Sequence, residues 1–529
     1  MGATNMKNTI SKTQLFLAPV AALLLTATAQ AAAPGITGPT FNLTAQSAYL
    51  TQPDGQAVYS WGYGCNGTPS GFAPSAVAGA TCNSMQVPGP TLIVTEGQTV
   101  TVTLTNGLPT SAGNTSILFP GFNVTATGGV AGLLTTEAAP GGTVTYTFTA
   151  SSPGTRAYYS GTQGDLQVEM GLYGAGIVLP AHIATAAPNC TSGLASANLT
   201  AEATWGESDF RLAAAAYDHP KTCYDREYLF QFSEMDPNIH TQTLAQVTAK
   251  GNCTAGAPGC SLNVPTEPYH PAYFMINGRS MPDDMDPNYA SQYPHQPYNG
   301  DPHMHPGEQV LLRIIGQGRW QHPFHEHANH VRILARDGNL IVSATDPNSL
   351  AGPLLFTTTT TPGLAMDGIF YWTGRGLNWD AYGHHPGSSD SFATLPCTPD
   401  ANGYNTGSPT AINFWEWCQD HNKPVQVAPF GDVASGGPVT LPDPNILTNG
   451  AWFGGSMYLG PDATVRATGP TGVTPPSGTI ANSPSTEAGF AFMWHSHNER
   501  EITTNNAFPG GMLMMMLVDS REFVIDETN

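Results

Sequence analysis

The stretch Thr91-Leu-Ile-Val-Thr-Glu-Gly-Gln-Thr-Val-Thr-Val-Thr-Leu-Thr105 decides the fold class of this 529-residue chain. Its Thr- and Val-rich alternation on both sides of Glu96-Gly97 predicts two strands joined by a tight turn. The alternation returns at Gly142-Thr-Val-Thr-Tyr-Thr-Phe-Thr149, and no long segment shows the period of an amphipathic helix. The pattern therefore predicts an all-β protein built from β-sandwiches.

A second β unit follows, because the chain is too long for one compact core. It begins near Arg226-Glu-Tyr-Leu-Phe-Gln-Phe-Ser233 and ends with Met512-Leu-Met-Met-Met-Leu-Val518, whose methionines we expect to pack in the core. Within it, residues 376–485 are rich in Gly, Pro, Asn and Asp and are predicted to form a loop-rich insertion. The predicted units are residues 35–185 and 222–529, with residues 186–221 as a linker.

The amino terminus has the features of a secretory signal peptide. Lys7 and Lys12 precede an apolar run from Leu15 to Leu25, and Ala29-Gln30-Ala31 offers a cleavage site. Residues 1–31 are therefore predicted to be removed from an exported protein, periplasmic or extracellular. The apolar run is too short for a good membrane anchor, and no later stretch is long enough to span a bilayer.

Cysteine content agrees with export. All eight cysteines follow the signal, and an even number in an oxidising compartment predicts disulfides. Many connectivities are open, of which sequential pairing is the simplest. That pairing would join Cys65 to Cys82, Cys190 to Cys223, Cys253 to Cys260 and Cys397 to Cys418.

The charge of the chain excludes two classes of partner. The formal net charge is −21 with 17 lysines and arginines, which argues against nucleic acid and against anionic membranes. An acidic surface of this kind suits a soluble protein and attracts cations.

Two histidine motifs carry the metal chemistry of the sequence: His322-Pro-Phe-His-Glu-His327 and Trp494-His-Ser-His497. Alternate residues of a strand share a face, so the members of each His-x-His pair point the same way. Four converging imidazoles would form a metal site. The candidate ligands are His325, His327, His495 and His497, with His322, His330 and Glu501 as further candidates.

Two other histidine pairs are weaker candidates. His303 and His305 form a single pair in a polar segment, where a surface position is the commoner outcome. His384 and His385 are neighbours in sequence and would point apart on a strand.

Four segments in this order resemble the multicopper oxidase family of cupredoxin-fold proteins. They are Pro88-Gly-Pro-Thr-Leu-Ile-Val-Thr-Glu-Gly-Gln-Thr-Val100, Pro153-Gly-Thr155 with Gly171-Leu-Tyr-Gly-Ala175, the His322 motif, and the His495 motif with Gly510-Gly-Met512. The resemblance implies tandem cupredoxin-like Greek-key β-sandwiches, with the long insertion in the second.

The resemblance also shows where the chain departs from the family. Members carry a blue copper bound by a cysteine and a three-copper cluster bound by eight histidines. Ser496 stands where that cysteine would be, and Glu501 falls near the second blue-copper histidine. The four first-domain histidines of the family would fall at Leu118, Pro120, Tyr159 and Gly161.

These departures predict a reduced site that binds one divalent ion, copper first and zinc or another divalent metal as the alternative. The protein would be an oxidoreductase for a small molecule or a metal ion, without the four-electron activity of a laccase. The alternative is a non-catalytic metal-binding or structural protein of a secreted assembly. Two-domain members of the family form trimers, so the resemblance implies a homotrimer, with a three-domain monomer as the alternative.

Overall fold

The computed structural model describes residues 33–182, 190, 192–375, 398–418, 455–458 and 489–525, except residues 76, 78, 208, 520 and 522. The predicted signal peptide, His384, His385 and most of the predicted insertion lie outside the described residues.

The amino-terminal half is a sandwich of two five-stranded sheets. Its strands are β1 (Gly35–Thr37), β2 (Thr40–Thr51), β3 (Ala57–Cys65), β4 (Phe72–Ala73), β5 (Gly89–Thr95), β6 (Thr99–Asn106), β7 (Thr125–Gly128), β8 (Val130–Ala131), β9 (Thr136–Glu137), β10 (Thr143–Thr149), β11 (Gly154–Tyr159) and β12 (Tyr173–Leu179). One sheet has the order β11-β12-β5-β1-β4 and the other has the order β3-β2-β6-β10-β7, while β8 and β9 pair with each other.

The stretch 91–105 forms the two predicted strands, but they belong to different sheets. β5 pairs in parallel with β1 and β12 and is buried along most of its length. β6 alternates between buried and less buried residues and pairs with β2 and β10. The turn at Glu96-Gly97 therefore connects the two sheets of the first sandwich. Gly97 has a φ of 83°, which glycine adopts without strain.

The carboxyl-terminal half is a second sandwich. Its strands are β13 (Arg226–Met235), β14 (Tyr273–Ile276), β15 (His303–Met304), β16 (Gln309–Gly316), β17 (His322–Glu326), β18 (Val331–Arg336), β19 (Asn339–Leu340), β20 (Leu354–Leu355), β21 (Thr357–Thr360), β22 (Ala365–Tyr371), β23 (Gly455–Tyr458), β24 (Gly489–Ser496) and β25 (Leu513–Asp519). One sheet has the order β14-β13-β16-β22-β18-β19, with β20 beside β18; the other has the order β15-β25-β24-β17-β21, with β23 beside β24.

The core of the second sandwich lies between these two sheets. Phe232, Phe324 and Trp494 are fully buried there, and Met512, Met514 and Met516 pack in the same cluster. Three of the four methionines of residues 512–518 are thus core residues, as predicted, whereas Met515 is only half-buried. The all-β class and the tandem cupredoxin-like sandwiches are confirmed.

The described residues include few helices, none of which was expected from the sequence. They are α1 (Gly164–Gln167), α2 (Gly193–Trp205) and α3 (Pro237–Lys250), with 3-10 turns at Thr110–Ala112 and Asp283–Met285. The buried positions of α2 are Ala195, Asn198, Ala201 and Glu202. A buried face that small and polar gives no apolar stripe, which is why periodicity missed this helix. No helix in the described part of the chain is long and apolar enough to cross a membrane.

The two sandwiches pack directly on each other. Ile93, Ala157 and Ala175 of the first contact Leu229, Ile315 and Ala365 of the second in one apolar cluster. Polar contacts cross the same interface, among them Tyr173 Oη to Ser233 Oγ at 2.8 Å and Gln317 Nε2 to the Gly174 carbonyl at 3.0 Å. The second sandwich is therefore held in a defined position against the first.

Three disulfides of the sequential pattern are present: Cys65–Cys82, Cys190–Cys223 and Cys253–Cys260. Cys418 is also disulfide-bonded. Its predicted partner, Cys397, lies outside the described residues.

Candidate metal centre

Strand pairing brings the two histidine motifs together. β17 and β24 are antiparallel neighbours in which His325 lies directly opposite His495, and Glu326 lies opposite Trp494. Directly opposite residues of paired strands share a face of the sheet, and so do alternate residues of one strand. His325 and His495 therefore project to one side, and His327 and His497, each two residues further on, join them.

The four imidazole rings form one cluster. The ring of His325 has its centroid 4.8 Å from those of His327 and His497 and 5.7 Å from that of His495. The ring of His495 lies 5.1 Å from His327 and 5.2 Å from His497. The Nε2 atoms of His495 and His327 are 3.2 Å apart.

Hydrogen bonds orient two of these rings. The Nδ1–H of His325 donates to the carbonyl of Phe356 and lies 3.0 Å from Thr357 Oγ1, and the Nδ1–H of His495 donates to the carbonyl of Ser496 at 2.8 Å. A proton fixed on Nδ1 leaves the lone pair on Nε2, which in His495 is the atom that faces His327 across the cluster. The peptide groups thus select the tautomer that a metal ligand needs.

The cluster also favours neutral rings. Burial, followed by the proximity of His327, lowers the pKa of His325 to about 4, and burial lowers the pKa of His495. Neutral imidazole is the form that binds a metal ion. His325 and His495 are buried, whereas His497 is exposed, so the cluster is open to solvent on one side.

Two neighbouring groups lie outside the cluster itself. Glu326 points to the opposite face, where it is fully buried and accepts a hydrogen bond from Thr358 Oγ1 at 2.5 Å. Burial raises the pKa of Glu326 to about 8. The ring of His330 packs on Phe356 at 5.2 Å, and Phe356 in turn packs on His325 at 5.6 Å. Phe356 thus lies between His330 and the cluster.

The positions that correspond to the blue-copper ligands hold a different structure. His322 is fully buried between two carboxylates, with Nε2 3.0 Å from Glu234 Oε2 and Nδ1 3.0 Å from Glu501 Oε2. The Ser496 hydroxyl donates to the same Glu501 oxygen, and Asn498 Nδ2 donates to its Oε1 at 2.8 Å. We call His322, Glu234, Glu501 and Ser496 the Glu–His–Glu bridge.

Donor groups of the protein satisfy the carboxylates of this bridge without a metal ion. Burial alone would lower the pKa of His322, but hydrogen bonds to Glu234 and Glu501 outweigh it and raise the pKa to about 9. His322 is therefore an imidazolium at neutral pH, with one ring nitrogen 3.0 Å from each carboxylate. With a hydroxyl in place of a thiolate and no free imidazole lone pair, these residues do not fit a blue copper.

Glu234 was missed in the sequence, although a signal for it exists. It is a charged residue within Arg226–Met235, a strand that is buried at every position. A buried carboxylate needs several donors, and Glu234 also accepts from the backbone N–H groups of Arg319 and Trp320 at 2.7 and 2.9 Å. Its pairing with His322 depends on strand contacts that the sequence does not reveal.

The first sandwich has no imidazole at the positions that correspond to its share of a copper cluster. Leu118 and Tyr159 form a β-bridge, and a Cβ added to Gly161 would lie only 2.8 Å from Leu118 Cγ. These three residues line a cavity of about 260 Å³ whose other wall includes Gln317 and Gly363 of the second sandwich. The four clustered histidines are not among its lining residues.

His303 and His305 are buried rather than exposed. His303 Nδ1 lies 2.7 Å from Asp519 Oδ2, and His305 Nε2 lies 2.8 Å from Glu207 Oε1. The expectation that this pair lies on the surface was wrong. Asp519 of β25 and Glu207, from the segment before β13, are distant in sequence and provide buried partners for the two histidines. The two histidines face different carboxylates and do not act as one chelating pair.

Residues 72–182 match the family model of multicopper oxidases, which confirms the resemblance for this segment. No curated protein matches the chain.

Several solved structures are similar to the chain. A blue copper oxidase from Nitrosomonas europaea is 15% identical over 90% of this chain and 85% of its own, with a TM-score of 0.43. A copper nitrite reductase from the same organism is 20% identical over 63% and 84%, with a TM-score of 0.37. A laccase from Botrytis aclada is 20% identical over 64% and 47%, with a TM-score of 0.36. Sequence identities and TM-scores this low do not assign the activity of any of these proteins to the chain.

Proposed function

We propose that the chain is a divergent multicopper-oxidase-like protein that binds one divalent metal ion through His325, His327, His495 and His497. Copper is the first candidate for this ion and zinc the second. The observation that carries the proposal is the 3.2 Å separation of the His495 and His327 Nε2 atoms within a cluster of four rings. Two nitrogens on one tetrahedral ion at about 2.0–2.1 Å lie roughly 3.3 Å apart, so the spacing fits shared coordination.

The residues around the cluster orient its rings for metal binding and leave one side accessible. The carbonyls of Phe356 and Ser496 hold the rings of His325 and His495 in the ligating tautomer. Exposure of His497 gives a small molecule or a metal ion access from one side. A bound copper ion would supply a one-electron redox couple there, and the protein would act as an oxidoreductase on such a substrate.

Four-electron laccase activity is not part of the proposal. That chemistry needs a blue copper and a cluster of three further coppers, as the family resemblance implies. The Glu–His–Glu bridge occupies the position of the blue copper. At the position of the three-copper cluster, the first sandwich has Leu118, Tyr159 and Gly161 in place of histidine ligands.

A non-catalytic role is the second candidate, and one observation favours it. The 3.2 Å contact of His495 with His327 also fits an N–H···N hydrogen bond between neutral imidazoles. The cluster would then be an internally bonded relic in a structural protein. Metal binding excludes the relic, which would bind none, and an oxidase assay of the copper-loaded chain separates a non-catalytic metal-binding protein from an oxidoreductase.

We further propose that the protein is exported and forms a homotrimer. Export is supported by the disulfides and by the amino-terminal sequence. Sedimentation equilibrium of the mature chain tests the assembly, and a monomer at micromolar concentration would contradict it.

The test of the metal proposal is equilibrium dialysis of the full mature chain against one equivalent of Cu²⁺, followed by elemental analysis. The wild type is expected to retain that ion, and His495→Ala is expected to lose it. His330→Ala is the matched control and should retain it, because Phe356 separates His330 from the cluster. Retention by His495→Ala, or no copper in the wild type, would overturn the proposal.

A further inference from the structure

A second group of metal-ligating side chains lies far from the histidine cluster in sequence. One carboxylate oxygen each of Glu96 and Asp218 and one ring nitrogen of His182 lie within 4.8 Å of one another. Two carboxylates this close repel at neutral pH unless a proton or a cation lies between them.

Three separate segments present these groups. Glu96 occupies the turn between β5 and β6, where its N–H donates to the Leu179 carbonyl at the end of β12. His182 follows that end of β12, and its N–H donates to Asp218 Oδ1 at 2.9 Å. The site therefore lies where the first sandwich meets the segment that leads to the second.

The loop that carries Asp218 is fixed independently of any ion. Thr222 Oγ1 donates to the carbonyls of Tyr217 and His219, which closes the turn around Asp218. The Cys190–Cys223 disulfide ties the end of this turn to the preceding segment. Little ordering is therefore needed for Asp218 to bind a ligand, which lowers the entropic cost of binding.

A buried cluster elsewhere in the chain shows what a metal-free arrangement looks like. Glu207, His305 and Glu308 also bring their ligand atoms within 4.8 Å. There, however, Arg226 lies against both glutamates, with Nε 2.5 Å from Glu308 Oε2, and Arg521 adds a second cation at 3.7 Å. Arginine already neutralises those carboxylates, so that cluster needs no ion.

The cluster of Glu96, His182 and Asp218 has no such internal cation. In the described part of the chain, the ion pairs of lysine and arginine include neither of its carboxylates. The only nitrogen base in it is an imidazole, which is a metal ligand as well as a weak cation. The net charge of −21 further favours uptake of a cation from solution.

We propose that Glu96, His182 and Asp218 form a second divalent-cation site that joins the first sandwich to the segment before β13. Two carboxylates and one imidazole suit a borderline first-row ion such as Zn²⁺ better than Ca²⁺ or Mg²⁺. Three protein ligands leave further coordination positions to water. The site is independent of the four-histidine centre and of the function proposed for it.

Zn²⁺ binding to the full mature chain tests this site. Isothermal titration is done in a His325→Ala/His495→Ala background, so that the first site does not contribute heat. One equivalent of Zn²⁺ is expected to bind. Adding His182→Ala or Glu96→Gln should weaken binding at least tenfold, while His270→Ala, at an exposed histidine of the second sandwich, should leave it unchanged.

A second measurement guards against misfolded variants. Zn²⁺ should raise the thermal unfolding temperature of the background protein by mass action, and this rise should be absent in His182→Ala while its zinc-free unfolding temperature is unchanged. Absence of binding in the background protein, or equal affinity with and without His182→Ala, would overturn the proposal. Either result leaves the four-histidine proposal untouched, because copper retention by the wild-type chain is measured separately.

Discussion

Replacing His322 by Gln is expected to destabilise the protein in a pH-dependent way. The pKa of His322 is raised from 6.5 to about 9, which corresponds to roughly 3 kcal/mol at 1.36 kcal/mol per pKa unit. Because the folded state has the higher pKa, this stabilisation is fully present below pH 6.5 and is lost as the pH rises through 9. The variant also leaves Glu234 and Glu501 buried without a cation.

The expected loss is therefore about 3–5 kcal/mol at pH 6, the range for breaking a buried ion pair. At pH 10 wild-type His322 is neutral as well, and the loss should fall to about 1 kcal/mol, the worth of ordinary hydrogen bonds. Urea unfolding of the metal-free protein, followed by tryptophan fluorescence at both pH values, measures the difference.

The matched control is His330→Gln. His330 packs on Phe356 but has no carboxylate partner in the Glu–His–Glu bridge, so its replacement should cost less than about 1 kcal/mol at either pH. Equal losses for His322→Gln at pH 6 and pH 10, or a loss below 1 kcal/mol at pH 6, would refute the reasoning.

Three further predictions concern stability. Burial raises the pKa of Asp225 to about 7, so ionisation of this carboxyl destabilises the fold as the pH rises from about 4 to 7. The gain in thermal stability of Asp225→Asn over the wild type should therefore be larger at pH 8 than at pH 5. Equal gains at the two pH values would contradict this. Removing the Cys190–Cys223 disulfide, with its sequence separation of 33, should cost about 3–4 kcal/mol by urea unfolding, and an unchanged midpoint would refute it. Gly161→Ala places a new Cβ 2.8 Å from Leu118 Cγ and should lower the free energy of unfolding by about 1–2 kcal/mol. As the control, Gly164→Ala meets nothing within 4 Å and should change it by less than about 0.5 kcal/mol. Equal effects of the two substitutions would show that Leu118 moves aside without cost.

The parts of the fold that the sequence predicts are those with a local cause. Period-2 alternation predicts the strands, and it also places His325 beside His327 and His495 beside His497 before any strand pairing is known. The sequential disulfides are similarly local, since each closes a short span of chain.

The parts that could not be predicted depend on contacts between distant segments. The sequence around the turn at Glu96-Gly97 would look the same if β5 and β6 paired with each other or belonged to different sheets. They belong to different sheets because β5 pairs in parallel with β1 and β12 instead. The partner of His322 is likewise set by the position of Glu234 on β13, 88 residues away. Helix α2 has a small and polar buried face, so no apolar period marks it.

The central claim is that one divalent ion binds to four imidazoles while no blue copper forms. Electron paramagnetic resonance and visible absorption of the full mature chain, loaded with one equivalent of Cu²⁺, test it most directly. Nitrogen superhyperfine coupling is expected, with a pattern that changes in His325→Ala, and no intense blue absorption band should appear. An intense blue absorption band, or a copper signal unchanged by His325→Ala, would contradict the claim.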